Sequence, residues 1–227
     1  MRELLRETKT IFLKDVLTEI RSRAFLGTTF MFAILVIIIF NFAFELRPDN
    51  TPKLASGILW IAFLFSGTLG LGRSFQVERE NDCINGLTLS PVDRMSIYWG
   101  KTAGNITFLV VIQIVVVPVF IVLYNINVME HFILMTTVII LTDFGFMSVG
   151  TLLSAMSANL KARELLLPVL LLPILVPLLI FAAGATNALI DSGDMTLCYS
   201  RLKLILAFDI IFFVVSSLVF EYIVDES

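Results

Sequence analysis

The chain has 227 residues, of which 58% are hydrophobic and 15% charged, against about 25% charged in a soluble domain. With a mean hydropathy of +0.94, a soluble globular domain is excluded. Sixteen Lys and Arg against nineteen Asp and Glu give a net charge of -3, which leaves no basic surface for nucleic acid. Two cysteines, Cys83 and Cys198, and one histidine, His131, are too few for a zinc cluster or a disulfide framework.

Residues 1–23 precede the first apolar run. That run is longer than a signal-peptide core and lacks a small-x-small cleavage site, so it is expected to be retained. Within the leading segment Leu5, Phe12, Leu13, Val16, Leu17 and Ile20 share one helical face, with Glu3, Glu7, Lys14, Thr18 and Arg21 opposite. This predicts either an interfacial helix on the membrane surface or a helix docked on a loop of the same chain.

Crossing the hydrocarbon takes about 20 mostly apolar residues in a helix. Six stretches qualify, near 24–44, 54–72, 97–124, 132–158, 165–190 and 202–224. They are too long and continuous for barrel strands of about 10 alternating residues. The predicted fold is all-α: one polytopic bundle of six transmembrane helices over 1–227, without room for a soluble catalytic domain. Twelve cations fall in the first, third, fifth and seventh flanking segments and four in the others, so both termini are expected in the cytoplasm.

The connection from Arg73 to Lys101 is the longest on that side, and residues 73–96 form its candidate coupling loop. It carries Glu78, Arg79, Glu80 and Asp82, then Cys83, Ile84, Gly86, Leu87, Leu89 and a Pro91 stop. Charges followed by spaced apolar residues predict a short surface element able to dock in a groove of a soluble partner, or a loop touching only this chain's termini. Gly100-Lys101-Thr102 imitates the end of a phosphate-binding loop, but Met95 stands where the loop needs a further glycine. No metalloprotease, nucleophile-elbow or haem-attachment motif occurs.

In the fourth span Asp143, Met147, Gly150, Ser154 and Ala158 share a face, and the last three make a small-residue ridge suited to close helix approach. Asp143 and, in the sixth span, Asp209 are intramembrane carboxyls. Each is either a structural hydrogen-bonding group or part of a moving interface or substrate route. Pro168, Pro173 and Pro177 predict a bent or partly irregular fifth span. His131, at the external end of the fourth span, reads as a polar anchor or an axial haem ligand. Cys83 and Cys198 are expected on opposite sides of the membrane, as unpaired thiols.

Three stretches carry a resemblance over nearly the whole chain: Gly57-Ile58-Leu59-Trp60-Ile61-Ala62 leading to Arg73-Ser74-Phe75; Leu87-x-Leu89-x-Pro91 with Lys101 ten residues on; and Leu172-Pro173-Ile174-Leu175-Val176-Pro177-Leu178-Leu179-Ile180-Phe181-Ala182. On these the sequence resembles the CcmB family, the haem exporter protein B or permease subunits of the ABC system for c-type cytochrome maturation. The chain departs from many relatives at Asp82, where they carry Gly, and at Asn85, where they carry Glu.

The resemblance implies an ABC-2-like permease half that is not itself an enzyme. Its implied partners are a second copy of itself, a CcmA-like ATPase, a CcmC-like haem-handling membrane protein, a small single-span CcmD-like subunit and a CcmE-like haem chaperone, in a bacterial inner membrane or a mitochondrial one. It implies no cofactor on this chain alone: ATP-Mg belongs to the ATPase, and haem is handled by the complex, with ATP hydrolysis releasing the haem-loaded chaperone. The rival functions are an ABC-2 exporter of a lipid, polysaccharide precursor or drug, an ion-coupled carrier using Asp143 and Asp209, and an intramembrane enzyme.

Overall fold

Hydrocarbon offers no partner to a free N–H or C=O, so apolar segments of this length must close their hydrogen bonds internally as helices. The computed structural model describes residues 2–21, 23–44, 51–80, 92–126, 129–157, 163–191 and 194–225. Among these it has α1 (Arg2–Arg21), α2 (Arg23–Ala43), α3 (Thr51–Glu80), α4 (Arg94–Tyr124), α5 (Phe132–Ser157), α6 (Arg163–Asp191) and α7 (Met195–Asp225), a 3-10 turn at Met129–His131, and no strand. The last six helices are long and apolar enough to span a membrane, over Phe25–Ala43, Leu54–Ser74, Arg94–Tyr124, Phe132–Ser157, Leu166–Asp191 and Met195–Tyr222. The six-span, all-helical expectation holds.

Capping chemistry moves two of the expected boundaries. Asp93 accepts the Met95 N–H at 2.9 Å as an N-cap, so α4 starts at Arg94. Asp194 Oδ1 accepts the N–H groups of Thr196 and Leu197 at 3.0 and 3.1 Å. The last span therefore starts at Met195 rather than near Leu202, and Arg201 and Lys203 are inside the helix.

α5 is the axis of the bundle. Every residue from Gly145 to Ser154 is buried, because α3, α4, α6 and α7 all pack around it. Small residues permit the close approaches. A Cβ on Gly150 would collide with the Leu71 side chain of α3, and Ser154 Oγ donates to the Leu71 carbonyl at 2.7 Å. Two of the three expected ridge positions thus face α3; Ala158 lies outside the described residues. Outward faces are apolar, as at Met31, Ile39 and Phe42 of α2 and Ile210, Ile211 and Val214 of α7, which suits contact with lipid.

α6 is helical from Arg163 to Asp191 through Pro168, Pro173 and Pro177. Each proline removes one donor while the flanking turns stay helical, and Pro173 and Pro177 sit on the exposed side. At one end of the bundle Ile11, Ile97, Tyr98, Leu152 and Phe220 form a second buried cluster, with the Tyr98 and Phe220 rings 5.3 Å apart. The end of α7 therefore lies beside α1 and the start of α4.

Gly150→Leu should overpack the α3–α5 crossing and lower stability by about 1–3 kcal/mol. Gly57→Ala, whose added methyl meets nothing within 4 Å, should be close to neutral. Thermal unfolding of the two variants in detergent makes the comparison.

Candidate functional site

The connection singled out in the sequence is narrower than expected. α3 stays helical through Glu80 and α4 starts at Arg94, so Glu78, Arg79 and Glu80 occupy the last turn of α3 rather than a loop. Asp82, Cys83, Ile84, Gly86, Leu87, Leu89 and Pro91 lie outside the described residues. What is described is the frame on either side, and α1 packs along its α4 half.

α1 meets α4 through Gly100 and Gly104. A Cβ on Gly100 would stand 2.8 Å from Ile11 Cβ and 3.0 Å from the Thr8 carbonyl oxygen, and one on Gly104 3.2 Å from Asp15 Cβ. Two glycines four apart make the seat for a close helix crossing. Between them Lys101, 1% exposed, reaches Asp15 Oδ2 at 3.3 Å. The Gly100-Lys101-Thr102 segment that imitates a phosphate loop is thus a helix–helix seat.

One turn earlier Glu7 closes the start of α4. Its Oε2 accepts the Asp93 N–H at 3.3 Å and lies 3.1 Å from Ser96 Oγ. A carboxylate there also meets the positive end of the α4 dipole. Farther along α1, burial pushes the Glu19 carboxyl above its ordinary value of 4.5, the nearby Arg73 of α3 opposes the rise, and Asp15 adds to it. Arg73 lies over the Phe25 ring of α2 at 4.3 Å.

The structure shows which side of α1 packs. Glu7, grouped in the sequence with the polar face opposite the apolar one, points into the bundle. Ile11, absent from the expected apolar face, is the buried contact at 6% exposure. Leu5, Leu13 and Leu17 are exposed, so the helix docks through one face and leaves its leucine stripe open.

Deeper in the bundle, polar side chains meet across α5. Gln113 Nε2 donates to Asp143 Oδ1 at 2.8 Å and Asn105 Nδ2 to Thr151 Oγ1 at 2.9 Å. Tyr98 donates to the Ser148 carbonyl at 3.0 Å, and Trp60 Nε1 to Thr186 Oγ1 at 3.0 Å. Asp143 Oδ2 and Gln113 Oε1 are buried without a hydrogen-bond partner. Asp209 is 2% exposed, also without a hydrogen-bond partner on either oxygen, and its carboxyl fills the space beside Gly145 that a Cβ would take.

Gly145 follows Asp143 by two residues, which is about 200° around the helix. The two aspartates therefore lie on opposite sides of α5 and are not brought together. Among the described residues no group of three His, Cys, Asp or Glu is placed to hold a metal ion. Cys198 is a buried free thiol.

Lys101, Asn105 and Gln113 do not stand out in a hydropathy reading, since α4 remains strongly apolar around them. Their spacing of four and eight residues on one helical face was the available signal.

Asp15→Lys should release α1 by setting a second cation against Lys101, seen as new protease cleavage within residues 2–21 with the spans intact. The swap Asp15→Lys with Lys101→Asp should restore protection. Asp143→Asn should keep the fold, since its amide can accept from Gln113 Nε2 and donate to Gln113 Oε1. Loss of activity by a correctly folded Asp143→Asn protein, judged by unchanged thermal unfolding, would assign the carboxyl a role beyond packing.

Comparison with known proteins adds the identity of the frame. The family model for CcmB protein matches residues 6–225. Proteins named heme exporter protein B are similar along most of their length. That of Rhodobacter capsulatus is 26% identical over 175 residues, covering 77% of this chain and 80% of the relative. That of Pseudomonas aeruginosa is 25% identical over 185 residues, 82% and 79%, and that of Escherichia coli K12 26% identical over 180 residues, 78% and 80%. A match running from the first turns of α1 to the end of α7 makes this chain a member of the CcmB family.

Proposed function

We propose that the chain is the membrane permease subunit of a haem-exporter ABC complex acting in cytochrome c maturation, and that a separate CcmA-like ATPase hydrolyses the nucleotide. The observation that carries this reading is the family match over residues 6–225, joined to relatives named heme exporter protein B. On this reading the chain pairs with a second copy, and CcmC-, CcmD- and CcmE-like proteins handle the haem. The end of the bundle bearing α1 faces the cytoplasm of a bacterial inner membrane, in keeping with the bias of cations toward that side.

The connection at residues 81–91 then receives the ATPase. Its two ends emerge from α3 and α4, and α1 grips α4 through Glu7, Gly100 and Lys101 while Glu19 lies close to Arg73 of α3. Displacement of the loop by nucleotide-driven closure is carried into the bundle as a movement of this braced pair. Nucleotide can shift the membrane helices only if their two arrangements hold the loop differently. A joint ion site on Asp143 and Asp209 is disfavoured by their separation across α5, which weakens the ion-coupled alternative.

Leu87→Asp with Leu89→Asp, in a chain that still inserts normally, should abolish co-purification of the ATPase and cut holocytochrome c about tenfold or more. Retention of both would overturn the assignment of the loop. Wild-type levels of holocytochrome c after deletion of the gene would overturn the function.

A further inference from the structure

The charges of α1 are sorted by face. Glu7 and Asp15 turn into the bundle, toward the start of α4 and Lys101, and Glu19 is partly buried near Arg73. Outward, Leu5, Leu13 and Leu17 are 59%, 46% and 54% exposed, and Arg6 and Lys9 are exposed among them. At about 100° per residue these five side chains fall in a sector roughly 120° wide. Glu3, the remaining acid of the helix, is exposed beyond the edge of that sector, past Leu17.

The depth of this face is set by its contacts. α1 crosses Gly100 and Gly104, in the first turns of the span Arg94–Tyr124, and its far end lies near Arg73, at the close of the span Leu54–Ser74. The helix therefore runs along the boundary of the apolar layer, where side chains on its free face meet the lipid interface.

From this sorting we infer that the outward face of α1 is a docking surface for anionic phospholipid. The leucines enter the acyl boundary while Arg6 and Lys9 extend their aliphatic stems along them and hold their charges at phosphate level. Lipid fits this face better than a second copy of the chain. A protein surface closing over the leucines would bury two interleaved cations, whereas a headgroup layer neutralises them in place. Each cation near an anionic surface favours binding by about fivefold. The surface would hold α1 against the membrane independently of any ATPase, so this inference goes beyond the permease reading.

The test uses the full chain with Cys83→Ala and Cys198→Ala, in bilayer discs, carrying an environment-sensitive fluorophore at Leu13→Cys or, as the comparison, Thr18→Cys. Brominated phosphatidylglycerol and brominated phosphatidylcholine serve as quenchers. Quenching is expected at position 13 and not at 18, with a relative binding constant for phosphatidylglycerol about fivefold or more above that for phosphatidylcholine. In Arg6→Gln with Lys9→Gln the preference should fall to about one while quenching persists, because the leucines remain. Absence of quenching at position 13 would show the face covered by protein or facing water. Equal constants for the two lipids in the parent would show it blind to headgroup charge. Either result overturns the inference.

Discussion

A polar group in the hydrocarbon layer has no solvent to fall back on, and the architecture of this chain follows from that constraint. The backbone meets it by running as helices through all six spans. Side chains meet it by pairing across helices, and those of Tyr98, Asn105, Gln113 and Ser154 converge on α5, which four other spans surround. Close packing and hydrogen bonding are here one problem: Ser154 reaches the Leu71 carbonyl because Gly150, one turn away, lets Leu71 approach. Asp143 with Gln113 and Thr151 with Asn105 tie the same helix to α4. Asp209 is an exception, accommodated by the missing side chain of Gly145 rather than by a donor among the described residues.

The same constraint relaxes at the end of the bundle that holds α1, and charge takes over there. Three of the four acids of α1, Glu7, Asp15 and Glu19, face the cations and helix start of their neighbours, leaving its leucines outside with Arg6 and Lys9 among them. A buried ion pair such as Asp15 with Lys101 is poor evidence for stability, since desolvation offsets much of the attraction. Lys101 lies between the two glycines that seat α1, so the pair ties Asp15 to one position along α4. On the proposed reading, in which a separate ATPase drives the permease, this matters because the loop proposed to receive the ATPase ends at the helix that α1 packs against.

The six spans were legible from hydropathy, since a run of apolar residues long enough to cross the layer has few other stable outcomes. Their boundaries were less legible where a single carboxylate decides. Asp93 and Asp194 extend helices beyond the apolar windows by satisfying N–H groups that hydropathy does not count. The packed side of α1 was not legible for a related reason. Grouping apolar residues finds the leucine side, which stays open, whereas α1 packs through Ile11, flanked on its own helix by Glu7 and Asp15. Gly100-Lys101-Thr102 could be rejected as a phosphate loop from its spacing, but its use as a seat depends on which helix arrives there.

By itself the sequence determined the class of protein, the number of crossings and the family, because apolar run length, the hydrogen-bond demand of the backbone and the family motifs are properties of the linear chain. Partnership across space was decided only by the tertiary structure. Helical periodicity turns Asp143 inward but says nothing of Gln113 opposite it, and nothing in the spacing of Asp143 and Asp209 sets them on opposite sides of α5. Those outcomes rest on how the helices rotate and cross, which small residues and single charges settle through contacts made far apart along the chain.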